Sequence, residues 1–152
     1  MRRRDFLFYG IAASTALMIQ PASASEGEKM IVYKDPNCGC CHAWANAMTR
    51  AGFSVAIENV DDLDPVKSRF AIPPAMQGCH TAVVAGYFLE GHVPLEAVTR
   101  LLAERPDISG LAVPGMPWGS LGMGDDPAAS YDVLALGKDG TSSVYQEVRP
   151  KT

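Results

Sequence analysis

Short apolar runs alternate with helix-forming stretches, and Cys38-x-x-Cys41 sits between the first strand and the first helix; together these predict an α/β domain of thioredoxin-like architecture. The order strand, cysteine motif, helix, strand, helix, hairpin, helix is that of such a domain. The expected form is a mixed central sheet with flanking helices and a long C-terminal loop rich in Gly, Pro and Met.

Met30-Ile31-Val32-Tyr33 is a short apolar run that Asp35-Pro36-Asn37 interrupts, so it reads as a strand followed by a loop. From His42 to Ala51 the residues favour a helix, with Trp44, Ala47, Met48 and Ala51 on one face and Gly52 as its stop. Phe53 to Val60 alternates as a second strand would, and Asp61-Asp62-Leu63-Asp64-Pro65 opens a second helix that Pro73-Pro74 ends. Thr81-Ala82-Val83-Val84 and Tyr87-Phe88-Leu89-Glu90 flank Ala85-Gly86 as a hairpin. Pro94 to Arg105 is amphipathic, with Leu95, Val98, Leu101 and Leu102 on one side. Residues 109 to 127 hold five glycines and three prolines together with Met116, Trp118 and Met123, so they read as an ordered loop rather than a linker. Tyr131 to Leu136 and Ser143 to Val148 are expected to close the sheet around Lys138-Asp139-Gly140.

The N-terminus has a separate logic. Arg2-Arg3-Arg4-Asp5-Phe6-Leu7, an apolar run from Phe8 to Ile19 and Ala22-Ser23-Ala24 form a charged region, a short hydrophobic region and an A-x-A cleavage site. Residues 1–24 are therefore expected to be an export signal, of twin-arginine type, cleaved after Ala24 to deliver residues 25–152 to the periplasm. The run is short beside the roughly 20 apolar residues of a membrane-spanning helix, so no stable membrane insertion is expected after cleavage. The mature chain has 152 minus 24, or 128 residues, a size suited to one domain. Losing three arginines and one aspartate takes the formal charge from −4 to −6. An acidic balance argues against nucleic acid or an anionic membrane surface as partner and is compatible with collecting cations.

All four cysteines lie beyond the signal, at 38, 40, 41 and 79. An even count in an oxidising compartment ordinarily suggests structural disulfides. Three thiols within one turn are poorly placed to pin distant segments together. Cys38-Gly39-Cys40-Cys41-His42 instead proposes thiol redox chemistry or capture of a soft metal, since the thiolate is both nucleophile and ligand. The helix entry favours the thiolate, because the N-terminal end carries partial positive charge.

Four separated segments carry a wider resemblance: Lys34 to Cys41, Gly78 to Val84, Glu90-Gly91-His92-Val93-Pro94, and Gly110 to Pro117. Together, in this order, they resemble the CopG-type periplasmic metal-binding proteins associated with bacterial copper resistance. The resemblance covers essentially the whole mature chain. It implies a thioredoxin-like fold, copper bound through cysteine sulfur as a multinuclear Cu(I) cluster, and a role in copper oxidation or reduction, with other periplasmic copper-handling proteins as partners. One position departs from the pattern: Leu121 stands where a proline is expected.

The residues support copper independently. Thiol oxidoreductases of this architecture keep a proline just before the third strand, whereas this chain has Gly78-Cys79-His80-Thr81 there. That aims a fourth thiol at the first three. Four thiolates can hold one Zn(II), but adjacent Cys40 and Cys41 are awkward for one ideal tetrahedron, and thiolates shared among several Cu(I) ions relax the demand. The expected metal ligands are Cys38, Cys40, Cys41 and Cys79. Met116, Met123, His42 and His80 are further candidates, each with a plain alternative as core, cover or surface residue, and His92 is read as a hydrogen-bonding or functional residue at a helix entry. The competing readings are a thiol-disulfide oxidoreductase using Cys38 and Cys41, and a disulfide- or zinc-stabilised interaction domain. No triad, phosphate loop or paired-carboxylate signature points to a hydrolase.

Overall fold

The computed structural model describes residues 27–150; the expected export signal and the Ala24 cleavage point lie outside the described residues. Seven strands form one mixed sheet in the order β2-β1-β3-β4-β5-β6-β7. In chain order the elements are β1 (Lys29–Lys34), α1 (Gly39–Arg50), β2 (Ser54–Asn59), α2 (Asp64–Arg69), β3 (His80–Val84), β4 (Tyr87–Glu90), α3 (Leu95–Glu104), β5 (Ile108–Ala112), β6 (Tyr131–Gly137) and β7 (Ser142–Val148). β1 pairs parallel with β2, and β4 parallel with β5. The remaining neighbours are antiparallel. No helix among the described residues is long and apolar enough to cross a membrane.

Period-two alternation places the strands. In β1, Met30, Val32 and Lys34 face inward while their neighbours are at least partly exposed. Met30 and Val32 join Trp44 and Met48 of α1, Val84 of β3, Leu89 of β4, Val98 and Leu101 of α3 and Leu111 of β5 in the main core. A smaller cluster, Ile72, Met76, Phe88, Ala112 and Leu136, forms separately from it. The Trp44 indole is fully buried and its Nε1–H donates to the Val93 carbonyl at 2.9 Å, fastening α1 to the segment that enters α3.

Helix α2 ends at Arg69, ahead of Pro73-Pro74, and two further boundaries differ from the sequence expectation, each for a local reason. Helix α1 begins at Gly39 rather than near His42, because Cys38 serves as its cap: the Cys41 N–H donates to the Cys38 sulfur at 3.3 Å. Residues 108–112, expected to be partly loop, form the internal strand β5. Gly110 obscured that assignment. The backbone and ring of Phe88 cross its face so closely that a Cβ there would lie 2.3 Å from the Phe88 carbonyl oxygen.

Candidate metal centre

The cysteine motif is held by its own loop. Asp35 accepts the Asn37 N–H through Oδ1 at 2.7 Å, while its carbonyl accepts the Cys38 N–H at 3.1 Å. Lys34, inward on β1, turns its ammonium back onto the Asp35 carbonyl at 2.7 Å. Both interactions fix the approach of Cys38 to α1. Cys40 and Cys41 then occupy the first helical turn, Cys41 fully buried and Cys40 half-buried.

A buried ion pair holds the opposite side. Glu90, at the end of β4, is fully buried and accepts the Lys67 ammonium, the Gly78 N–H at 2.7 Å and the Thr81 hydroxyl at 2.6 Å. Lys67 also donates to the Gly78 carbonyl at 3.1 Å. Both backbone groups of Gly78 are thus clamped, and Cys79 follows directly. A parallel bridge between Gly78 and Gly115 brings the start of the methionine-bearing loop alongside. Further on, Gly122 has φ of +90° and lies against the first turn of α1, where an added Cβ would sit 2.9 Å from the Cys40 carbonyl. Leu121, partly buried against the main core, holds this loop without a proline.

These constraints bring four sulfurs together. Cys38, Cys40, Cys41 and Cys79 each place Sγ within 4.8 Å of the other three. Cys38 and Cys41 are joined in a disulfide, and Cys40 and Cys79 are free thiols. Cys40 Sγ lies 3.6 Å from Cys38 Sγ and 4.0 Å from Cys79 Sγ. Thiolates on one tetrahedral ion with metal–sulfur bonds of about 2.3 Å sit roughly 3.8 Å apart, so these separations are compatible with a shared metal once the disulfide is reduced. Adjacent Cys40 and Cys41 both reach the cluster, which removes the geometric objection to a single Zn(II). Soft sulfur donors of this kind suit Cu(I) and Zn(II) alike.

A second group meets the first at Cys79. Cys79, His80 and His92 form a further set of converging donors. His92 is fully buried; its Nδ1–H donates to the Leu121 carbonyl at 2.7 Å, leaving the Nε2 lone pair 3.0 Å from Cys79 Sγ. A backbone carbonyl that fixes the tautomer and aims the other nitrogen at the site is the usual support of a metal-ligating histidine. His80, also fully buried, stacks at 4.7 Å on Trp44 and meets His92 edge-on at 5.2 Å. Its Nδ1 is 3.5 Å from Cys79 Sγ and its Nε2 has no partner.

Burial sets the protonation of these groups. It pushes the Cys79 thiol up to about 12, with the neighbouring Cys40 adding to the rise, so Cys79 is a neutral thiol that donates to His92 and must shed a proton to take a metal. His80 is held down at about 3, first by burial and then by His92, Lys67 and Lys34, and burial lowers His92 as well. Below pH 6.5 an unfolded chain takes up a proton at His80 that the folded chain refuses, so stability falls as pH drops from 6.5 towards 3. The slope from this group approaches about 1.4 kcal/mol per pH unit. Denaturant titrations of metal-free protein across that window are expected to show a shallower acid slope in His80→Leu than in the unchanged chain; equal slopes would contradict the assignment.

Sequence reasoning placed the four cysteines, and the structure brings all four together. It brings His80 in too, although neighbours within a strand point to opposite faces. Cys79 lies before β3, where alternation has not begun. His42 is exposed on α1 and outside the converging groups. Met116 follows the Gly78–Gly115 bridge and is 56% exposed, whereas Met123 is half-buried on the loop whose Gly122 touches Cys40. His92, outside the expected ligand set, is the donor the sequence reading missed.

Comparison with known proteins places the chain in a family. A family described as "Protein of unknown function, DUF411" matches residues 76–123, the stretch from Met76 through Cys79 and His92 to Met123. No curated protein matches the chain. A solved structure titled "Copper resistance protein copG- Form 1" is 42% identical with a TM-score of 0.76, covering 83% of this chain and 100% of its own. The corresponding Form 2 structure has the same identity and TM-score and covers 81% of this chain and 99% of its own. With 42% identity to structures matched over essentially their full length, and with a cysteine cluster able to hold metal, the chain belongs to the CopG-type copper resistance family.

Proposed function

We propose that this chain is a periplasmic copper-resistance protein that captures Cu(I) on Cys38, Cys40, Cys41 and Cys79 once all four are thiolates, with shared sulfurs carrying more than one ion. His92 supplies a nitrogen donor and His80 lines the buried side. Met116 and Met123, on the loop between β5 and β6, are further soft thioether donors. Copper is the cargo. β1 to α3 is read as a thioredoxin-like core, with β5, β6 and β7 extending its sheet and carrying the loop that covers the centre. Residues 1–24 are read as the signal that exports it.

The observation that carries this reading is the gathering of four sulfurs from two separate segments, one side capped by a helix and the other clamped by Lys67 and Glu90. The histidine group that shares Cys79 adds nitrogen donors at the buried side of the sulfurs. Anaerobic titration of the reduced protein with Cu(I), against a chromophoric Cu(I) chelator, tests it. More than one tightly held copper per chain, not displaced by excess Zn(II), is expected. Stoichiometric zinc retained in preference to copper would overturn the assignment.

One observation favours a second reading. The Cys38–Cys41 disulfide at the entry to α1 is the arrangement of a thiol-disulfide oxidoreductase, with Cys38 the more exposed sulfur. Disulfide reduction activity that survives Cys79→Ser would support it, since that chemistry needs only the pair.

A further inference from the structure

The four cysteines are not equivalent in the structure: two are spent on a bond while two remain free beside a histidine. The free pair lies 4.0 Å apart, and His92 Nε2 is 3.0 Å from Cys79 Sγ. None of these three donors depends on Cys38 or Cys41 being reduced. Resting on the copper reading above, we propose that Cys38 and Cys41 act as a redox gate on copper capacity. Closed as a disulfide, they leave a one-copper Cu(I) site on Cys40 Sγ, Cys79 Sγ and His92 Nε2; opened, they add two thiolates and create the larger shared site.

The geometry assigns each group its part. The Cys38 sulfur is half-buried and Cys41 is fully buried, so an incoming thiol meets Cys38. Opening is thiol–disulfide exchange with a protein dithiol as reductant. One thiolate of that dithiol attacks Cys38 Sγ, the Cys38–Cys41 bond breaks, and Cys41 leaves with the electron pair and takes a proton. The second thiol of the reductant then attacks the mixed disulfide and releases Cys38. Two electrons and two protons pass to the chain, and the dithiol becomes a disulfide. Closing is the reverse exchange with an oxidised partner of the same class. It withdraws two of four sulfurs from the bound copper and sheds the ions those sulfurs were holding. The free thiols cannot duplicate this role while copper bridges them, because each is then committed as a ligand.

Thiol counting and Cu(I) titration on the full mature protein, oxidised with one equivalent of a small disulfide or fully reduced with a dithiol, test the gate. The oxidised protein is expected to show two free thiols, mapped by alkylation to Cys40 and Cys79, and to bind a single copper ion. The reduced protein is expected to bind more. Cys38→Ser/Cys41→Ser is expected to bind a single ion under both conditions, and His92→Gln to weaken the oxidised-state site by about tenfold or more. If the reduced protein takes up no copper, the copper reading itself fails. If it loads while the oxidised protein takes none or just as much, or if the free thiols map elsewhere, the gate alone is overturned. Unchanged affinity in His92→Gln would remove the histidine from the site.

Discussion

Glu90→Ala is expected to destabilise the metal-free protein by about 3–5 kcal/mol and to lower its thermal midpoint by roughly 10–20 °C. Glu90 is fully buried and Lys67 is 5% exposed, so truncating the carboxylate strands an ammonium without its counter-charge in the interior. The Gly78 N–H and the Thr81 hydroxyl lose their acceptor in the same step. Because whole domains are stable by only about 5–15 kcal/mol, a loss of that size consumes much of the reserve. Replacing both partners with apolar residues, as in Lys67→Met/Glu90→Leu, is expected to recover most of the stability. It is not expected to recover copper capture, because Gly78 is then unclamped and Cys79 is free to drift. Thermal melts and Cu(I) titrations of the same two variants separate packing from positioning; a loss below about 1 kcal/mol in Glu90→Ala would contradict the clamp.

Cys79→Ser is expected to weaken Cu(I) capture by at least about 100-fold in the reduced protein, by removing a soft donor and the sulfur that joins both donor groups. Cys79 is the only residue common to the four-cysteine group and the histidine group among the described residues. Its loss therefore severs His92 from the other sulfurs, which the loss of Cys38 does not. The hydroxyl is a harder donor and is shorter, so isosteric replacement does not restore the bridge. Competition with a chromophoric chelator reads the effect directly, and retention of wild-type affinity would mean that Cys79 is not a ligand. Stability is expected to change little, since the half-buried Cys79 thiol has a single strong hydrogen bond, to His92.

The legible parts of this chain were those where one local signal sufficed. Ala85-Gly86 between two β-branched and aromatic runs declared the hairpin, and its register follows from the turn. The cysteine motif declared itself by composition. Gly110 hid β5 because a glycine in a strand looks like a break until the crossing Phe88 ring is known. His92 was hidden differently, and a signal for it was present. Thr81 pairs with Glu90, and extending that register two residues outward sets Cys79 opposite His92. Counting pairs outward from the turn would have brought His92 to Cys79. The Lys67–Glu90 clamp had no such signal, since the two residues lie on α2 and β4 and only the fold brings them together.

The central claim is that Cys38, Cys40, Cys41 and Cys79 share Cu(I) as bridging thiolates. X-ray absorption at the copper edge of the reduced, loaded protein tests it most directly. A cuprous edge, a first shell dominated by sulfur, and copper–copper scattering that disappears in Cys79→Ser are expected. A first shell of nitrogen and oxygen, with no sulfur and no metal–metal vector, would contradict it.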